Sequence, residues 1–158
     1  MAGRLSNEVQ VTDRIFDFAK SLVGHFKGGL GHVNVLASMI FAGMSGSAVA
    51  EAGGLGQIEI KAMVEDGYEL EFSTALTAAS ATIGPIIPPS IPMVIYGAVA
   101  GESVAKLLIA GFVPGVIIGA AMMALLVVMA PWKGFKAKPR APLREVRNTL
   151  KRGILPLL

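Results

Sequence analysis

Three stretches without a charged side chain dominate the pattern of hydrophobic and polar positions. They cover residues 28–50, 72–101 and 107–132, and are 23, 30 and 26 residues long. About 20 apolar residues in an α-helix cross the hydrocarbon core of a bilayer. Each stretch is therefore long enough to enter a membrane, and the pattern predicts an all-α membrane protein.

The segment before the first stretch has the pattern of an amphipathic helix over residues 9–27. Its predicted apolar face consists of Ile15, Phe18, Ala19, Leu22 and Phe26. Thr12 is placed to cap the start of the helix, and Gly28 to end it. The segment carries too many charges to span a bilayer, so it lies in the interface or packs against protein.

The first charge-free stretch is interrupted by the sequence Gly-Met-Ser-Gly-Ser at 43–47. Glycine inside a helix costs roughly 1 kcal/mol relative to alanine, so two helical arms meeting at a turn are favoured. We predict a re-entrant hairpin over residues 30–67, with a second interruption at 53–56 and a glycine stop at Gly67. Irregular backbone at membrane depth must be buried in protein or line a wet cavity.

The second stretch contains four of the nine prolines of the chain, all between Gly84 and Pro92. A proline inside a helix removes a backbone donor and costs about 3 kcal/mol. We therefore predict a broken transmembrane helix over residues 68–101, made of two half-helices joined by an extended loop.

The third stretch predicts one continuous transmembrane helix over residues 102–132. Gly111, Gly115 and Gly119 recur at every fourth position and form a flat face for close helix approach. Trp132 stands at the end, where an interfacial anchor is expected.

The composition agrees with the membrane interpretation. The chain is 53% hydrophobic and 16% charged, with a mean hydropathy of +0.63. Soluble domains are about 25% charged, and disordered chains combine low hydrophobicity with high net charge. Both classes are therefore disfavoured, and the lack of cysteine excludes thiol chemistry from these residues.

Positive charge is concentrated at the end of the chain. Residues 133–158 hold eight Lys and Arg and one Glu, whereas residues 1–132 hold six Lys and Arg against ten Asp and Glu. Such a tail can be a nucleic-acid-binding arm, but next to an apolar span it marks the cytoplasmic side. We predict no nucleic-acid partner, a basic cytoplasmic loop over 133–158, and residues 1–29 on the same side.

Signals for an enzyme are weak. The sequence at 43–47 resembles a nucleophile elbow, but Ser47 stands where that motif has glycine. Neither His25 nor His32 lies in that motif, and their spacing does not suit a metal. We predict no catalytic residues and no organic cofactor.

Broken helices offer free backbone carbonyls and helix ends that can bind ions and substrate groups. Hydroxyl side chains flank both breaks, at Ser45, Ser47, Thr82 and Ser90. A hard cation such as Na⁺ accepts neutral oxygen ligands. The two breaks therefore suggest an ion and substrate site.

Three segments carry a family resemblance, namely 34–51, 56–63 and 77–93. They include the runs Phe-Ala-Gly-Met-Ser-Gly-Ser-Ala-Val-Ala-Glu and Ile-Gly-Pro-Ile-Ile-Pro-Pro-Ser-Ile-Pro. The chain resembles the large, DctM-like membrane subunit of TRAP (tripartite ATP-independent periplasmic) transporters over about residues 10–132. The sequence is shorter than such a subunit and resembles a fragment holding the first of two inverted repeats, with 154–158 as the start of another apolar helix.

The resemblance implies a Na⁺-coupled elevator importer of organic acids, C4-dicarboxylates or related carboxylates, in the bacterial inner membrane. It implies two protein partners, a small DctQ-like membrane subunit and a periplasmic DctP-like solute-binding protein. By that match, the candidate Na⁺ site consists of Ser45, Ser47, Thr82 and Gly84, and the candidate substrate cavity of Gly43, Gly46, Pro88 and Ser90. The alternative is a structural helix-bundle subunit without a transport site; a pore is disfavoured because no span shows a hydrophilic stripe.

Overall fold

The computed structural model describes residues 2–132 and 149, and this part of the chain folds into seven α-helices without a strand. The helices are α1 (Ala2–Val23), α2 (Gly29–Ser45), α3 (Ala48–Gly53), α4 (Leu55–Glu65), α5 (Leu70–Ala81), α6 (Ile91–Ala100) and α7 (Val104–Met129). The predicted all-α class, with a helical hairpin, a broken helix and a continuous span, is confirmed. Apart from residue 149, the basic segment predicted over 133–158 lies outside the described residues.

The first helix, α1, begins earlier and ends earlier than the sequence pattern suggested. Thr12 is buried within the helix, so the prediction that it caps the N-terminus is wrong. The helix stops at Val23, and Phe26 lies in the following turn and is 47% exposed. Phe26 therefore lies outside the helix, and the helical spacing that predicted its position on the apolar face does not apply to it.

The buried face of α1 is also rotated from the predicted one. Among the described side chains it includes Thr12, Ile15, Phe16 and Ala19, which recur at the i, i+3, i+4 and i+7 positions of one helical face. Ile15 and Ala19 were predicted, whereas Phe16 was not. Leu22 was predicted on this face and is 37% exposed.

The hairpin consists of α2 as one arm and α3 with α4 as the other. Its second arm is interrupted at Gly54, within the predicted break. Gly67 has a positive φ of 91° just after α4, a conformation that glycine adopts without a steric penalty. α2 is the central element, since it contacts α1, α3, α4, α5 and α7.

The last helix, α7, is the only described helix that is both long and apolar enough to cross a membrane, with a hydropathy of 2.5 in its most apolar window. α2 and α6 are apolar but shorter. Pro114 lies inside α7, and the helix continues through it.

The glycine face of α7 allows the close packing that its spacing predicted. Gly111, Gly115 and Gly119 are buried. Gly111 lies against the Ile86 carbonyl and Met93, Gly115 against Ile87, and Gly119 against Met39. A side chain at these positions would overlap those neighbours, so the stripe holds α7 against both α2 and the loop between α5 and α6.

Candidate functional site

The hairpin tip is a two-residue connection between α2 and α3. Gly46 has a φ of 59°, and its N–H donates to the Ala42 carbonyl at 3.2 Å. Ser47 is extended, and its hydroxyl accepts from the Ala50 N–H at 3.4 Å, which caps α3. A glycine C-cap and a serine N-cap thus reverse the chain within two residues.

The loop over residues 82–90 separates α5 from α6. The prediction of an extended loop is wrong for its first half, because successive turns fold it: Gly84 N–H donates to the Ala81 carbonyl and Ile87 N–H to the Ile83 carbonyl. The Ser90 hydroxyl donates to the Pro85 carbonyl and accepts from the Met93 N–H at 3.2 Å. Ser90 therefore fixes the loop and caps α6.

The two breaks are the hairpin tip at 46–47 and the loop over residues 82–90. They contact each other, although about 40 residues separate them in sequence, and this contact is called the junction below. The Ile91 N–H donates to the Gly46 carbonyl at 3.3 Å. The Pro89 carbonyl faces Gly46, and the Pro88 carbonyl lies 4.0 Å from the point where a Cβ on Gly43 would stand. The loop therefore turns at least two carbonyl groups toward the hairpin tip, as expected for a shared site.

Three of the four residues predicted to hold Na⁺ lie at this junction, namely Ser45, Ser47 and Gly84. Ser45 and Ser47 are half-buried at the tip, where the Ser47 N–H lies 3.5 Å from the Ser45 hydroxyl oxygen. Thr82 is exposed, and its hydroxyl donates to the Ala79 carbonyl at 2.6 Å. Gly84 is buried beside the start of α3, and a Cβ there would lie 3.4 Å from the Ala48 nitrogen.

The four residues predicted to shape a substrate cavity are also at the junction. Gly43 is exposed, Pro88 is half-buried and Gly46 is buried. Ser90 is fully buried, with its hydroxyl engaged by two backbone groups. Gly43 and Pro88 are therefore the two residues of this set with accessible surface at the junction.

Sequence reasoning missed Glu51, which is the nearest carboxylate to the junction. Its side chain is 1% exposed, and its Oε2 lies 3.1 Å from the position of a Cβ on Gly84. Ser38 of α2 is fully buried and faces this carboxylate. Within the described part of the chain, neither the Ser38 hydroxyl nor either Glu51 oxygen has a partner with hydrogen-bond geometry. The signal in the sequence was an ionisable residue next to a break in a membrane hairpin.

A second carboxylate, Glu59, belongs to a buried polar network that joins α2, α4 and α5. The Asn34 amide nitrogen donates to Glu59 Oε2 at 2.9 Å and to the Thr77 hydroxyl at 2.7 Å. The Ser80 hydroxyl donates to the Asn34 side-chain carbonyl at 2.7 Å. The signal for this network was polar residues at helical spacing inside apolar helices, since Thr77 and Ser80 are one turn apart.

Oxygen atoms of three kinds lie at the junction, namely backbone carbonyls, hydroxyls and the buried carboxyl group of Glu51. In the described residues, no three His, Asp or Glu side chains cluster as ligands for one metal ion. The oxygen set suits a hard cation.

Comparison with known proteins identifies the relatives of the chain. The family model described as "Tripartite ATP-independent periplasmic transporter, DctM component" matches residues 1–158. The chain is 51% identical over its whole length to the sialic acid TRAP transporter permease protein SiaT of Haemophilus influenzae, covering 26% of that protein. It is 49% identical to the sialic acid TRAP transporter large permease protein SiaM of Vibrio cholerae and 40% identical to the C4-dicarboxylate TRAP transporter large permease protein DctM of Pseudomonas aeruginosa. Both of these alignments cover the whole chain and 37% of the relative.

Proposed function

Because the chain belongs to the DctM component family of tripartite ATP-independent periplasmic transporters, we propose that the complete protein couples Na⁺ entry to the import of an organic acid. The chain spans 26–37% of the relatives compared above. It supplies one hairpin and one broken helix of the transport site. The observation that carries the proposal is the contact between the two breaks at Gly46 and Ile91.

The proposed substrate is an acidic sugar or another carboxylate. The two relatives of 51% and 49% identity are named for sialic acid, and the relative of 40% identity for C4-dicarboxylates. A sialic acid is therefore the first substrate to test, and a C4-dicarboxylate the second. We propose that a periplasmic solute-binding protein delivers it and that a small membrane subunit braces the complex in the bacterial inner membrane.

The Na⁺ site is proposed at the junction of the tip and the loop, with Ser45 and Ser47 on one side and Thr82 and Gly84 on the other. Two features support it. Carbonyl groups of the loop face the tip, and the buried Glu51 carboxylate beside Gly84 compensates a positive charge. A purely structural bundle would not need two helix breaks in contact, because each break forgoes backbone hydrogen bonds that a continuous helix makes.

The hydroxyls at the tip give the direct test of this site. We expect Ser45→Ala and Ser47→Ala in the complete protein to weaken the apparent Na⁺ affinity about fivefold each. Each change removes one neutral oxygen, and a modest polar interaction contributes about 1 kcal/mol. The measurement is the increase in melting temperature as Na⁺ replaces K⁺ at constant ionic strength.

A matched control separates ion binding from helix capping. Ser103 caps α7 by accepting from the Lys106 N–H at 3.4 Å, as Ser47 caps α3. Ser103→Ala should lower the melting temperature without changing its dependence on Na⁺. If both tip variants kept the parental Na⁺ dependence, their hydroxyls would serve the turn alone, and the proposed ligand set would be wrong.

The proposed orientation places residues 133–158 in the cytoplasm and the turn between α6 and α7 outside. In intact cells, Lys138→Cys should react with a membrane-impermeant thiol reagent only after permeabilisation, because basic residues stay on the cytoplasmic side. Glu102→Cys, at an exposed position of that turn, should react without permeabilisation. The reverse pattern would invert the proposed topology.

A further inference from the structure

Glu59 is a carboxyl group that the fold buries completely. Its side chain is 0% exposed, and it lies in α4 between α2 and α5. Oε2 accepts one hydrogen bond from Asn34, whereas Oε1 has no partner in the described part of the chain. An isolated buried carboxylate is costly unless a positive charge or several hydrogen bonds compensate it. A single hydrogen bond from the Asn34 amide does not compensate a buried negative charge.

The described side chains packed against α4 bring no ion pair to Glu59. α2 presents the Asn34 amide, and α5 presents the hydroxyls of Thr77 and Ser80. α3 presents Glu51, whose charge acts on Glu59 unfavourably. Within the described part of the chain, no cationic side chain forms an ion pair with Glu59. A second anion nearby makes an ionised Glu59 still less favourable, because two like charges in a dry site repel strongly.

The atoms around Glu59 suit a proton better than a metal ion. The polar atom beside Oε2 is an amide nitrogen that donates hydrogen bonds, and the Met63 sulfur lies 3.9 Å from the same nitrogen. The Asn34 carbonyl oxygen already accepts from Ser80. Na⁺ needs several oxygen atoms around it, whereas a proton needs only the unpartnered Oε1.

We propose that Glu59 is a proton-binding site, separate from the candidate Na⁺ site, and that it carries its proton on Oε1 at neutral pH. The proton leaves the Asn34–Glu59–Thr77–Ser80 network uncharged. This assignment goes beyond Na⁺ coupling and does not rest on the proposed function.

Infrared difference spectroscopy of the complete protein tests the proposal directly. A protonated carboxyl group gives a C=O stretching band that an ionised one lacks, and the band moves in D₂O. We expect Glu59→Gln to lose one such band at neutral pH. Glu65→Gln should keep every band, since Glu65 is exposed and 4.0 Å from Lys61. The band should also persist when Na⁺ replaces K⁺.

Two results would overturn the proposal. Identical carboxyl spectra for the parent and Glu59→Gln would show that Glu59 is ionised. A band that disappears on adding Na⁺ would show that the site holds the metal ion instead. If Glu59→Gln fails to fold, parental protein with ¹³C-labelled glutamate side chains decides the question, because protonated and ionised carboxyl carbons differ in chemical shift. Since none of these spectra measures transport, failure of the Na⁺-coupled import proposal leaves the test intact.

Discussion

Replacing Gly46 by alanine is expected to lower Na⁺-dependent uptake by at least tenfold while the protein still inserts in the membrane. Two independent effects disfavour an alanine at position 46. Its φ of 59° lies in the left-handed region, which costs an L-residue about 1–2 kcal/mol. In addition, the Pro89 carbonyl occupies the place where a Cβ would stand. The tip and the loop must separate to make room, which breaks the contact from the Gly46 carbonyl to the Ile91 N–H.

Alanine variants of two other glycines serve as controls for the effects of backbone strain and of position at the tip. Gly67 has a φ of 91° and no neighbour within 4 Å of an added Cβ, so Gly67→Ala introduces backbone strain without a clash. Gly43 lies at the tip, and a Cβ there would stand 4.0 Å from the Pro88 carbonyl, an ordinary contact distance. Gly67→Ala should retain most of the uptake of the parent, measured with a sialic acid and with a C4-dicarboxylate. Gly43→Ala should keep the contact between the tip and the loop, so a loss of uptake in that variant would come from the candidate substrate cavity. Normal uptake by Gly46→Ala would show that transport does not need the close contact of the two breaks.

The breaks could be predicted from the sequence because their causes are local. Gly46 ends α2, whereas Gly43 is tolerated inside that helix, and prolines at 88 and 89 exclude a helix. The glycine face of α7 was predictable for the same reason, since its spacing alone creates a flat strip. The contact of the breaks was expected because together they suggest one ion and substrate site, and the hydrogen bond from the Ile91 N–H to the Gly46 carbonyl shows which residues meet.

The carboxylates were not predicted because their significance comes from contacts between distant segments. Glu51 approaches Gly84, 33 positions away, and Glu59 meets Asn34 across 25 positions. Hydrophobic patterning gives no distance between helices. The rotated face of α1 has a similar origin, because Phe16 and Phe18 are equally apolar and tertiary packing on α2 selects Phe16.

Exchanging Glu51 for glutamine is expected to weaken the apparent Na⁺ affinity by at least tenfold. Glutamine keeps the shape of the side chain and removes its charge. Glu51 Oε2 lies beside Gly84 in a buried setting, where charges are screened less than in water and interact more strongly. A tenfold change corresponds to about 1.4 kcal/mol, which a single neighbouring charge in such a setting supplies. The measurement is again the dependence of the melting temperature on Na⁺, with K⁺ as the reference.

Two matched variants test whether the effect of Glu51→Gln comes from the loss of a charge at the junction. Glu65→Gln removes an exposed carboxylate from α4 and should leave the Na⁺ dependence unchanged. Glu59→Gln should leave it nearly unchanged as well, because glutamine imitates a glutamate that already carries a proton. Equal losses in Glu51→Gln and Glu59→Gln would mean that both carboxylates are ionised when Na⁺ binds. An unchanged Na⁺ dependence in Glu51→Gln would mean that the carbonyls and hydroxyls of the tip and the loop bind the ion without help from this charge.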